Sequence, residues 1–160
     1  MRSWLILGIV IAVIVLALGG YVFFQAVEAP KEDEAEAVAS LVLAEDDVAS
    51  MDDFQLFFGM ETIYVATVTH DDGEQYYWLY DDDYERIGNA AFADLENEET
   101  IVDEVRSEQG DIAIRDVRVG YEEDTLVYEL VYTDPEDNLY YDYYTAADGE
   151  SLKQYRITAS

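Results

Sequence analysis

The sequence has no cysteine and a single histidine, His70, and it sets only 8 lysines and arginines against 37 aspartates and glutamates. Without cysteine there is no disulfide, no thiolate nucleophile and no thiolate metal site, so the fold must be held by burial. One histidine leaves an imidazole zinc site without a second ligand of its kind. The scarcity of cations argues against nucleic acid and anionic lipid as direct partners, because counterion release from a polyanion needs clustered lysine and arginine.

The charge is unevenly spread. All 37 acidic residues follow position 27, whereas one of the 8 basic residues, Arg2, precedes it, so the remainder carries 7 − 37 = −30. From Trp4 to Phe24 there is no charged side chain at all. A helix of that length spans roughly 30 Å, about the hydrocarbon thickness of a bilayer. The run exceeds the apolar core of about 7 to 15 residues in a cleavable signal peptide, and it reads as an uncleaved anchor. Arg2 marks the cytoplasmic side, so residues from about 28 onward are expected outside the cell membrane.

Beyond the anchor, two stretches repeat one order of elements. Pro30 opens a helical pattern running to about Ser50, with Ala37, Leu41, Ala44 and Val48 at three- and four-residue spacing. Strand-like runs follow at 54–58, 62–69 and 75–80, the last two joined by Asp71-Asp72-Gly73, a hairpin signal. A second helix is expected over about 96–109 and stops at Gly110. Strands then follow at 112–121, 125–133, 139–145 and 152–158, separated by acidic, Pro- and Gly-bearing turns. The pattern predicts an α+β chain with three parts: a tip and anchor over 1–28, a first unit over 29–90 and a second over 91–160. A unit of about 60 residues buries only about 60% of its unfolded surface, so the two should pack together or share a sheet edge.

Catalytic groups are few. His70, beside Asp71 and Asp72, reads as a solvated turn residue rather than a general base. Lys153, with Arg156 nearby, reads as part of a solvent-facing strand. Asp81-Asp82-Asp83 and Asp134-Pro135-Glu136-Asp137-Asn138 supply oxygen ligands, yet neither has the twelve-residue EF-hand spacing. No catalytic, cofactor or metal residues are assigned. A carboxylate pair for glycoside hydrolysis is not selected by any pattern among so many acids.

Tyrosine is the abundant functional type, with 14 in the chain. Four of them, Tyr140, Tyr141, Tyr143 and Tyr144, fall in one strand and are the candidate partner-binding residues. Tyrosine brings contact area with a polar tip, which suits interfaces as well as sheet packing.

These features resemble the TseB-like regulators of cell-wall elongation of Gram-positive bacteria, which carry tandem cystatin-like, PepSY-related domains. The likeness rests on Ile114 to Gly120, on Leu126-Val127-Tyr128-Glu129-Leu130, on Tyr140-Tyr141-Asp142-Tyr143-Tyr144 and on Asp148-Gly149-Glu150-Ser151-Leu152-Lys153-Gln154-Tyr155-Arg156-Ile157. The first half fits by layout. The resemblance implies two cystatin-like units, each a helix packed on an antiparallel sheet. It also implies a non-enzymatic factor that works outside the cytoplasm with a penicillin-binding transpeptidase. The strong acidity departs from it. Two other readings stay open: an inhibitor or chaperone of an exported protease, of PepSY type, and a carboxylate-dependent wall hydrolase.

A net charge of −29 repels itself. Salt shortens the Debye length from about 30 Å at 0.01 M to about 3 Å at 1 M, so sodium chloride should raise the melting temperature across that range. A melting temperature that stays constant would mean that the acids are individually paired.

Overall fold

The computed structural model describes residues 32–159. The apolar run from Trp4 to Phe24 lies outside them, and among the described residues no helix is long and apolar enough to cross a membrane. The chain is α+β, and the described residues form two antiparallel four-stranded sheets and two α-helices. Helix α1 covers 32–42 and α2 is Glu98–Gln109. The first sheet has the order β1-β2-β3-β4, made of Val48–Phe58, Thr62–His70, Gln75–Tyr80 and Arg86–Ala91. The second has the order β5-β6-β7-β8, made of Ala113–Glu122, Thr125–Thr133, Leu139–Thr145 and Ser151–Ile157.

Alternation along β2 assigns its side chains. Tyr64, Ala66 and Val68 join Trp78 and Tyr80 of β3 in a cluster closed by Val38 and Val42 of α1. Ile63 and Val65 point the other way, with Tyr77 and Leu79, into a larger core. That core also takes Ile101, Val102 and Val105 of α2 and Val119, Val127, Leu130 and Tyr132 of the second sheet. From Val38 onward the chain is therefore one compact body around a common core.

The first helix differs from its expected form in two ways. It ends at 42, and a turn brings the chain into β1 at Val48, where the helical reading ran to Ser50. Its buried positions are Val38 and Val42, while Leu41 is exposed. Two stripes of i, i+4 spacing compete in this segment, and the branched valines take the core. Strand β4 was not expected at all, because Arg-Ile-Gly-Asn-Ala-Ala has neither apolar alternation nor β-branched bias. It forms because β3 offers a free edge to pair with.

Helix α2 starts where its capping chemistry allows. Asn97 Oδ1 accepts from Glu99 N at 2.8 Å, and Glu98 and Glu99 occupy the positive helix end. Gly110, with φ of 80°, terminates it. The helix lies on the face of the second sheet that carries Tyr128 and Tyr144. Tyr128 Oη donates to Glu96 O at 3.1 Å just ahead of it.

The two sheets meet at their edges β1 and β5. Gln55 Oε1 accepts from Val119 N at 3.3 Å, and Phe57 reaches the face opposite α2, edge-on to Tyr143 with ring centroids 6.4 Å apart. Phe57 lies directly on Gly120, where a Cβ would overlap its ring. Gly59 is similarly confined, since a Cβ there would meet both Phe57 and Glu122.

Gly120→Ala should therefore lower stability by about 1 to 3 kcal/mol through overpacking. Phe57→Ala should cost about 3 to 5 kcal/mol through the cavity it leaves. Phe57→Leu should restore part of the loss caused by Gly120→Ala. Urea unfolding followed by tryptophan fluorescence measures all three, and an alanine at 120 without effect would remove Phe57 as the joint.

Candidate interaction surface

The second sheet gathers the residues singled out from the sequence. Its helix-covered face bears Tyr140, Asp142 and Tyr144, paired in register with Tyr132, Leu130 and Tyr128. Tyr132 Oη donates to Asp142 Oδ2 at 2.8 Å, and Gln154 Nε2 donates to the same oxygen at 2.9 Å. Tyr140 stacks on Tyr132 at 5.0 Å, and its hydroxyl donates to Asp134 Oδ2 at 3.0 Å. Burial, followed by the hydrogen bond to Asp142, pushes the Tyr132 hydroxyl strongly upward.

The opposite face bears a second polar chain. Tyr143 Oη donates to Glu129, and Arg118 reaches Glu129 at 3.5 Å and Asp116 at 2.7 Å. Lys153 Nζ donates to Glu122 Oε2 at 2.7 Å and lies 4.4 Å from the centre of the Tyr143 ring. Glu122 and Glu129 are both buried. Lys153 is thus a half-buried counter-ion, a correction to its reading as a solvent-facing residue. The cause is the register, which puts Lys153 opposite Tyr143 on the side where Glu122 points.

None of the four candidate tyrosines is fully exposed. Tyr143 is buried, and Tyr140, Tyr141 and Tyr144 are half-buried on β7, an inner strand flanked by β6 and β8. The exposed apolar side chains lie beside them. Phe58 and Met60, at the turn between β1 and β2, are 67% and 88% exposed, and Tyr155 and Ile157 of β8 are 56% and 57% exposed. A groove of about 360 Å³ runs between these two groups, lined by Phe58, Met60, Glu122, Glu123, Tyr143, Lys153 and Tyr155. A neighbouring groove of about 450 Å³ shares Met60, Glu122 and Glu123 and adds Glu61, Ile63, Ile87, Tyr121 and Asp124. Sequence reasoning passed over Phe58 and Met60, although two large apolar residues around Gly59 in a turn were the available signal.

Glu123 and Asp124 form the tight β5–β6 turn on this rim, both with left-handed φ, 49° and 62°. This is the backbone of a primed hairpin turn, normally given to Asn and Gly. It fixes two carboxylates beside the grooves.

His70 sits elsewhere, at the end of β2. Its side chain is only 17% exposed, with Nδ1 3.5 Å from Asp47 Oδ2 and the ring 4.4 Å from that of Tyr76. Nε2 is buried without a partner among the described residues. The expected solvated turn residue is instead packed within the sheet end, because the turn begins one residue later. The acidic clusters are spent on their own turns: Asp81 Oδ1 accepts from Asp83 N and Glu85 N, and Asp134 Oδ1 accepts from Glu136 N and Asn138 N.

The architecture defines an α+β protein of two edge-joined antiparallel sheets. Among solved structures it is similar to the YpmB protein from Bacillus subtilis, with 25% identity, a TM-score of 0.65, and coverage of 78% of this chain and 96% of that one. A candidate lipoprotein from Clostridium difficile 630 matches at 14% identity and a TM-score of 0.41, over 79% of this chain and 92% of that one. No family model matches the chain, and no curated protein matches it by sequence.

The tyrosines packed in and against the core give the fold an alkaline limit. Burial first, then the nearby Glu98 and Glu96 carboxylates, pushes Tyr128 up to about 12; burial and Asp142 push Tyr144 up to about 12. A folded value above the unfolded one of about 10 means that this stability is complete below pH 10 and is lost as pH rises through 12. The urea midpoint should fall between about pH 10 and 12, less steeply in Tyr128→Phe. A midpoint flat over that window would show that the hydroxyls do not resist ionisation.

Proposed function

We propose that this chain is a membrane-anchored, non-enzymatic regulator of cell-wall synthesis that acts outside the cytoplasm by binding a penicillin-binding transpeptidase. Each half is read as a cystatin-like unit, a helix laid on an antiparallel sheet, with the second PepSY-related. The supporting observation is the backbone likeness to YpmB over nearly all of that protein's length. It coincides with the sequence features that resemble TseB-like regulators, which fall on β5 to β8. The site chemistry supports binding: the buried acids are engaged by tyrosine, arginine and lysine, and the large apolar side chains of Phe58, Met60, Tyr155 and Ile157 are exposed beside them. The anchor reading rests on the charge-free run from Trp4 to Phe24 and on Arg2 before it.

Three measurements test it together. Protease added to intact protoplasts should digest the acidic part, crosslinking in living cells should recover a penicillin-binding protein, and depletion should alter cell width or elongation. Protection from protease would overturn the topology. Recovery of an exported protease, with cell shape unchanged on depletion, would transfer the assignment to a protease inhibitor or chaperone.

A further inference from the structure

Strand β8 closes the second sheet, and its outer edge pairs with no other strand among the described residues. It differs from the two meeting edges, since β1 and β5 are drawn together by Gln55 and Phe57. An open edge presents a row of backbone donors and acceptors, and natural proteins usually blunt it with charge, proline or a bulge. β8 has one irregularity, at Leu152 near its start, and pairs regularly from Lys153 to Ile157, with Leu152, Tyr155 and Ile157 exposed. Its two cations are already occupied, Lys153 by Glu122 and Arg156 over the Tyr140 ring at 5.5 Å.

We infer that the outer edge of β8 receives an extended segment of a partner protein as an added antiparallel or parallel strand, and that this segment alternates apolar with basic side chains. The alternation follows from geometry. Successive side chains of an added strand point to opposite faces, and those on the Tyr155 side meet the groove between Tyr155 and Met60. The basic character follows from charge. Asp148 and Glu150 stand at the start of β8, the Asp134 turn lies beside its end, and Glu123 lies on the groove rim. A second copy is disfavoured as occupant because each chain carries −29. Backbone pairing supplies affinity, and the acids reject anionic strands.

The inference rests on the binding reading above but can be tested apart from it. The full chain in detergent is titrated with a fluorescent seven-residue peptide alternating valine and lysine, matched to the seven residues of β8. A twin with alternate backbone amides methylated has the same charge but lacks donors, and a third peptide alternates valine with glutamate. The first should bind saturably, at least about tenfold more tightly than either of the others. Tyr155→Lys and Met60→Lys, both at exposed positions, should weaken it by about tenfold, whereas Leu41→Lys on α1 should not.

Equal binding of the methylated twin would reduce the effect to bulk charge and overturn the strand edge. Equal binding of the acidic peptide would overturn the partner chemistry, and so would no binding by any peptide. A salt-stabilised dimer dissociated by Tyr155→Lys would give the edge to a second copy. Peptide binding with normal cell width on depletion would retire the wall assignment alone; the reverse result would retire the edge alone.

Discussion

The junction between the two sheets depends on one aromatic ring. Phe57 leaves the end of β1, crosses onto β5 and occupies the space that a side chain at 120 would need. Because Gly120 has no Cβ, the ring can lie against the strand and touch Tyr143. The β1–β2 turn follows directly, after the Phe58–Thr62 pair, and holds Phe58 and Met60 opposite Tyr155 across a groove. The constraint is steric and local, yet it joins two sheets whose separate cores would each be marginal.

A chain this acidic faces a shortage of cations for its carboxylates, buried and exposed, and tyrosine makes up part of the difference. Glu129 accepts from Tyr143, Asp142 from Tyr132, Asp134 from Tyr140 and Glu74 from Tyr76. Among the buried acids of the described residues, Glu122 and Glu129 draw on lysine or arginine. A phenol donates one hydrogen bond, adds apolar surface and brings no charge that must be desolvated. The many tyrosines are thus intelligible as packing that also supplies donors. The arrangement has a chemical limit, because a donor that ionises becomes a second anion beside the first.

That dual role explains why the sequence revealed the strands but not the surface. Alternation in Ile63 to Val68 and the turn at Asp71-Asp72-Gly73 are local signals, and the hairpin follows them closely. Tyr140 to Tyr144 also form a strand, but both its faces are covered, so alternation cannot separate exposed from buried tyrosines. Strand β4 and the polar start of β1 carry no period of their own and exist because a neighbour's edge needs pairing. The same limit hid the place of Lys153, which depends on a pairing register and on Glu122, 31 residues away.

The edges of the two sheets complete the physical account. Four strands per sheet leave four edges, and the molecule treats them differently. β1 and β5 face each other and exclude water with Phe57. β4 begins with Arg86, whose guanidinium covers Trp78 at 4.4 Å and reaches Glu45 at 3.6 Å, so this edge is short and charged. β8 has neither arrangement, since Lys153 is engaged by Glu122 and Arg156 lies over the Tyr140 ring while Leu152, Tyr155 and Ile157 are exposed. Engaging those cations within the sheet takes the usual guard away from the edge. The surrounding acids then take over the guarding at longer range, repelling other copies and anionic strands while leaving the backbone open to a cationic one.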